Sequence, residues 1–152
     1  MKKLVIYYSY TGNTKLIANK IKEKLNCDIL ELTPKVPFST NYDEVVKEYK
    51  SNSVDKNVEI NDIDIDLNDY DELIIGTPVW WYTMCPVIST FLKKYNLNNK
   101  IIYVFATNAG WLGHTFKDYE KLCNIKGSMN IVFDSNRLKT SVEELNNWIE
   151  KL

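Results

Sequence analysis

The chain is most constrained by its repeated switch between short apolar runs and amphipathic helical stretches. Leu4-Val5-Ile6-Tyr7-Tyr8 is a continuous apolar, β-favouring run, the pattern of a strand buried on both faces. Residues 13–25 follow with helical spacing: Leu16, Ile17, Ile21 and Leu25 form one stripe, and Lys20, Lys22, Glu23 and Lys24 lie outside it. Residues 28–32, 71–76, 101–106 and 129–133 read as further strands, the run 101–106 as the most apolar and central. Residues 86–95, 115–123 and 141–152 read as helices. Pro86 is tolerated in a first turn, and Ser141 with Glu144 forms a capping box. This alternation predicts an α/β fold, a doubly wound parallel sheet of five strands with helices on both faces.

At 152 residues the chain is expected to form a single domain, 1–152, long enough to bury a core without a disulfide or structural metal. One connection breaks the simple scheme. Residues 33–70 are too many for a bare loop in a compact domain, so 42–50 is predicted helical and the remainder is expected to wrap the sheet. Within it Asp62-Ile63-Asp64-Ile65-Asp66-Leu67 alternates strictly.

Three loops carry the chemistry, because ligands of open α/β sheets bind beyond the carboxyl ends of the strands, near the point where strand order reverses. The first is Ser9-Tyr10-Thr11-Gly12-Asn13-Thr14. Three hydroxyls, an amide and a glycine lead directly into a helix N-terminus, where free N–H groups and the helix dipole favour an anion. Simple helix capping accounts for one such hydroxyl, not for this cluster. Neither G-x-x-x-x-G-K-[ST] nor G-x-G-x-x-G is present, which excludes a triphosphatase P-loop and disfavours a dinucleotide site. A hydroxyl-rich cup without an arginine suits a phosphate monoester.

The second loop, Thr77-Pro78-Val79-Trp80-Trp81, places two tryptophans past a strand end. That is a costly position for large apolar groups unless a planar ligand covers them; one of the pair is expected to pack inward. The third, Thr107-Asn108-Ala109-Gly110-Trp111-Leu112-Gly113, has two glycines that let its backbone approach a ring edge. Cup, stacking wall and close-approach loop together describe a site for a phosphorylated planar heterocycle.

Val5-Ile6-Tyr7-Tyr8 followed by Ser9-x-Thr11-Gly12-Asn13-Thr14, then Gly76-Thr77-Pro78-Val79-Trp80-Trp81, then Leu112-Gly113 ahead of Phe116 resemble, in that order, the motifs of flavodoxin-like FMN proteins, along essentially the whole chain. The resemblance implies strand order 2-1-3-4-5 and FMN as cofactor. It implies that Ser9, Thr11, Asn13 and Thr14 hold the phosphate, with Tyr10 and Gly12 also among the cofactor-binding residues. Thr77, Pro78, Val79, Trp80 and Trp81, with Thr107, Asn108, Ala109, Gly110 and Gly113, would flank the ring. Tyr82 stands where a small residue is common in the Thr-Pro-x-Trp-Trp subfamily.

The flavin then carries the redox chemistry, and no catalytic side chain or metal is required. The favoured function is a low-potential electron carrier between redox partner proteins. The alternative is an FMN-dependent oxidoreductase reducing a small acceptor such as a quinone. A flavin-free signalling or binding domain is the third reading. It lacks the acidic strand ends of a receiver domain, and the residues six past Cys27, Cys85 and Cys123 are Thr33, Phe91 and Met129 instead of the arginine of a cysteine phosphatase. His114 is the one histidine, read as incidental or a cap.

Charge and cysteine usage bound the surroundings. The formal net charge is −1, which gives no pull toward nucleic acid or anionic membrane. Residues 41–72 hold eleven acids against three lysines, a net of −8 that leaves +7 for the rest. The densest acids, 62–72, run into the start of the third strand, the edge opposite the expected flavin site, so partner recognition is expected to rely on apolar contacts around Trp80, Trp81, Tyr82 and Trp111. Three cysteines without metal-ligand spacing, no signal peptide and no apolar run long enough for a membrane span point to a cytoplasmic protein, a monomer or weak dimer.

Overall fold

The computed structural model describes residues 1–152. Its elements in chain order are β1 (Lys3–Tyr7), α1 (Asn13–Leu25), β2 (Asp28–Glu31), α2 (Tyr42–Glu48), β3 (Glu72–Trp80), β4 (Thr83–Met84), α3 (Pro86–Lys94), β5 (Ile101–Asn108), α4 (Thr115–Leu122), β6 (Gly127–Asp134), β7 (Arg137–Leu138) and α5 (Val142–Glu150). Five parallel strands run in the order β2-β1-β3-β5-β6, the order 2-1-3-4-5 expected of the parallel sheet. Two short antiparallel strands add to the expected five: β4 pairs with the end of β3, and β7 with the end of β6.

The alternation of side chains along each strand splits the core into two layers. Leu4, Ile6, Leu73, Ile75, Ile102 and Val104 pack under α3 and α4. Val5, Tyr7, Ile74, Phe105 and Ile131 pack under α1 and α5. Buried Ile17, Ala18 and Ile21 fix the inward face of α1. Ser141 caps α5 by accepting the Glu144 N–H at 3.0 Å.

The clearest departure from expectation is β3. It does not stop at Gly76; Thr77, Pro78, Val79 and Trp80 continue the strand. Pro78 reads as a breaker, yet its position removes the objection. Gly76 turns its carbonyl toward β1, where it accepts the Tyr8 N–H at 3.3 Å. Two residues on, Pro78 faces the same side after β1 has ended, so its missing N–H costs no ladder bond. Val79 and Trp80 are held extended by pairing with Met84 and Thr83.

The long connection 33–70 lies over the face carrying α3. Pro34 and Ile60 form an isolated bridge, α2 accounts for the predicted helix, and Asp66 caps a short 3-10 turn at Leu67–Asp69. The alternating stretch 62–67 is therefore not a strand; its apolar members Ile63, Ile65 and Leu67 pack against the core.

Candidate functional site

The three predicted loops meet at the carboxyl ends of β1, β3 and β5, with β1 and β3 adjacent at the switch point. In the first, the Ser9 hydroxyl accepts the N–H groups of Gly12 (3.2 Å) and Lys15 (3.1 Å) and so shapes the loop from within. Gly12 takes φ +101°, and a Cβ there would meet nothing within 4 Å. The amides of Thr11, Asn13 and Thr14 find no protein acceptor. The side chains divide the remaining work. Asn13 Nδ2 donates to the Ser135 carbonyl at 2.8 Å. Thr14 is buried, its hydroxyl sharing a 2.7 Å hydrogen bond with that of Thr107. The cup is thus lined by free backbone donors, and the hydroxyls of Ser9 and Thr14 brace it.

At the end of β3, β3 and β4 are joined by Trp81 and Tyr82, with φ +50° and +67°. A two-residue hairpin with both central residues left-handed is normally made of Asn and Gly; for bulky residues each costs roughly 1–3 kcal/mol. External contacts hold the turn. Trp81 Nε1 donates to the Val46 carbonyl at 2.7 Å, satisfying one of the free carbonyls at the end of α2. The Tyr82 carbonyl accepts the His114 N–H at 2.8 Å.

The two tryptophans part here. Trp80 packs edge-on into Phe38, Tyr10 and Tyr8, with centroids at 4.9, 5.6 and 6.4 Å, and lies tilted against Tyr49 at 5.2 Å. Asn52 Nδ2 donates to the Trp80 carbonyl (2.7 Å) and the Met84 carbonyl (3.2 Å), tying the long connection to this hairpin.

Two adjoining cavities run from the cup to the hairpin. A cavity of about 390 Å³ opens among Thr11, Asn13, Pro78, Thr107, Ser135 and Asn136. A cavity of about 320 Å³, lined by aliphatic and aromatic residues apart from Asn108, opens between α2 and the β3–β4 turn, against Trp81, Tyr82 and Trp111. Tyr10, Tyr42, Val79, Trp80, Asn108 and Ala109 line both, making one trough. The predicted residues Ser9, Gly12, Thr14, Thr77, Gly110 and Gly113 do not line it. Thr77 is buried, its hydroxyl accepting the Cys85 N–H at 3.0 Å. The Asn108 side chain receives the Gly110 N–H at 2.9 Å and donates to Asn130 at 2.6 Å, fixing the third loop.

Sequence reasoning missed the wall supplied by α2. Tyr42, Val45, Val46 and Tyr49 line the apolar cavity, and their spacing of three, four and seven was the available signal. The charge picture changes with it. Asp62 to Glu72 does lie toward the opposite end of the sheet, but Asp43, Glu44 and Glu48 of the same acidic segment sit on or at the end of α2, beside the trough.

Next to the turn, Asp118 is 2% exposed and accepts from the Thr83 hydroxyl, from His114 Nδ1 and, at 3.1 Å, from Lys121 Nζ. Burial pushes this carboxyl up, but the three hydrogen bonds outweigh it and hold it below the ordinary carboxylate range. A group depressed in the folded state adds stability above its unfolded pKa and loses it as pH falls through the folded one. Urea midpoints are therefore expected to drop below about pH 4. Asp118→Asn, already lacking the contribution at neutral pH, is expected to drop less steeply over that window. Equal slopes would show that Asp118 contributes nothing to it.

No group of three His, Cys, Asp or Glu side chains is placed to hold a metal ion. No helix is long and apolar enough to cross a membrane.

Comparison with known proteins places this geometry. The flavodoxin family model matches residues 2–152. No curated protein matches the chain. Among solved structures, a provisionally named flavoprotein of Bacteroides eggerthii aligns with TM-score 0.79 at 24% identity, covering 99% of this chain and 96% of its own. A flavoprotein of Lactobacillus acidophilus, solved in complex with FMN, aligns with TM-score 0.68 at 24% identity over 85% of this chain and 92% of its own. Oxidised flavodoxin 2 of Bacillus cereus covers 100% of both chains at 18% identity and TM-score 0.56. At these identities the likenesses establish the fold.

Proposed function

The chain belongs to the flavodoxin family of FMN-binding proteins, and from that premise we propose that it is a low-potential electron carrier between redox partner proteins. Bound FMN would supply the redox chemistry of such a carrier, and the residues of the trough would hold it. The observation that carries the reading is the continuous trough, with unpaired amides at one end and an aromatic-walled apolar cavity at the other. Those two ends fit the two ends of FMN. The amides of Thr11, Asn13 and Thr14 would hold the phosphate, with Ser9 and Thr14 bracing the loop that presents them. Trp81, Val79 and the Asn108–Ala109 backbone would bound the ring and exclude water from it. The Lactobacillus acidophilus relative crystallised with FMN supports the assignment.

Exposed aromatic groups rim the mouth: Tyr42, Tyr82 and Trp111 are 62%, 49% and 68% exposed. Large apolar groups clustered on a surface mark a contact site, which suits docking of a partner protein by apolar contact. The acids of α2 border the same mouth and would favour a partner with basic groups at its rim.

Purified protein is expected to be yellow, or to become so on titration with FMN, with absorbance that bleaches on adding dithionite. Colourless protein that takes up no FMN would overturn the assignment. A second reading is reduction of a small planar acceptor, which would stack on the ring at the mouth that Tyr42, Tyr82 and Trp111 rim. Turnover of quinones with NADH or NADPH and no partner protein would establish that reading; dependence on a separate reductase would establish the carrier.

A further inference from the structure

The β3–β4 turn holds a conformation that neither of its residues favours; α2 and Asn52 hold it on one side, and the start of α4 holds it on the other. Thr83, fully buried, follows the turn directly and donates its hydroxyl to Asp118. His114 grips the turn twice, through its backbone N–H on the Tyr82 carbonyl and through its ring on the same Asp118. Gly113 packs its backbone against that of Tyr82. A strained segment persists only where its surroundings over-determine it, and on the α4 side two of the side-chain contacts meet on one buried carboxylate.

Such a carboxylate is a poor choice for stability alone. A well-packed apolar residue of similar size often serves as well or better, whereas a hydrogen-bonded charge dictates direction. We propose that Asp118, acting with Thr83 and His114, is a positioning residue for the cofactor site, holding Trp81 and Tyr82 in the form that receives the ring. It does not line the trough; it acts through the turn. The inference rests on the FMN reading above, but concerns residues outside the sequence motifs that led there.

Two substitutions at Thr83 separate position from packing. Thr83→Val keeps the volume and removes the hydroxyl; Thr83→Ser keeps the hydroxyl and removes a methyl. FMN titration of the folded apoprotein is expected to give a Kd about tenfold higher for Thr83→Val, and within about threefold of the parent for Thr83→Ser. The near-UV circular dichroism of Trp81, assigned by difference from Trp81→Phe, is expected to change in the Val variant and be retained in the Ser variant. A residue that only fills space would give the reverse order, or a lower urea midpoint with unchanged Kd and spectrum; either result overturns the proposal. If even the parent protein takes up no FMN, the cofactor assignment falls, while the order of the apoprotein spectra still decides whether the hydroxyl positions the turn.

Discussion

Gly113→Ala is expected to lower the stability of the protein by roughly 3–4 kcal/mol, near the upper end for a single methyl group. Two effects add. Gly113 takes φ +60°, where an L side chain is strained. A Cβ there would also lie 2.3 Å from the Tyr82 carbonyl oxygen and 2.4 Å from the Tyr82 Cβ. These neighbours belong to or adjoin backbone, so no rotamer change relieves the clash. Either the turn or the start of α4 must move, and the Tyr82–His114 hydrogen bond stretches with it. The readouts are the urea midpoint and the FMN affinity of whatever fraction folds. A loss under about 1 kcal/mol with unchanged affinity would show that the turn and α4 are not packed as described.

Trp80→Ala is expected to cost about 3 kcal/mol, the low end for a large aromatic because Trp80 is only half-buried. The consequence is also local. Trp80 is the common neighbour of Tyr8 and Tyr10 on the sheet side and of Phe38 and Tyr49 on the long connection. Its removal takes away the aromatic contacts that seat α2 over the trough. Limited trypsin digestion is expected to open at Lys47 and Lys50 in the variant while β5 and β6 stay protected. Trp80→Phe is expected to preserve most of the protection. Uniform cleavage across the chain would mean global unfolding, and cleavage identical to the parent would mean that α2 is seated by other contacts.

The sheet was legible in the sequence because buried parallel strands must be continuously apolar, and Leu4–Tyr8 and Ile101–Ala106 leave little room for another reading. That the polar loop around Gly12 leads from β1 into the N-terminus of α1 was legible in the apolar run before it and the helical spacing after it. What the hydroxyls of that loop do was not. Nothing in the order of residues says that Thr14 turns inward to Thr107, 93 positions away. The extension of β3 through Pro78 was hidden because a proline's cost depends on which side its missing N–H faces, a property of the assembled sheet. The stripe Tyr42, Val45, Val46 and Tyr49 has ordinary core spacing; it lines a cavity because Trp81 draws the end of α2 to itself.

The Thr14–Thr107 hydrogen bond has a consequence for how the two ends of the trough share a ligand. It joins the loop that presents the free amides to the strand that ends at Asn108 and leads into Ala109. Displacing either end strains the other, so their contributions to affinity are linked and do not simply sum. By reciprocity, an anion seated in the cup stiffens the ring end as much as a planar ring there stiffens the cup. Inorganic phosphate and riboflavin, each a fragment of the full cofactor, are therefore expected to bind with positive cooperativity, and Thr14→Val to reduce them to independent ligands.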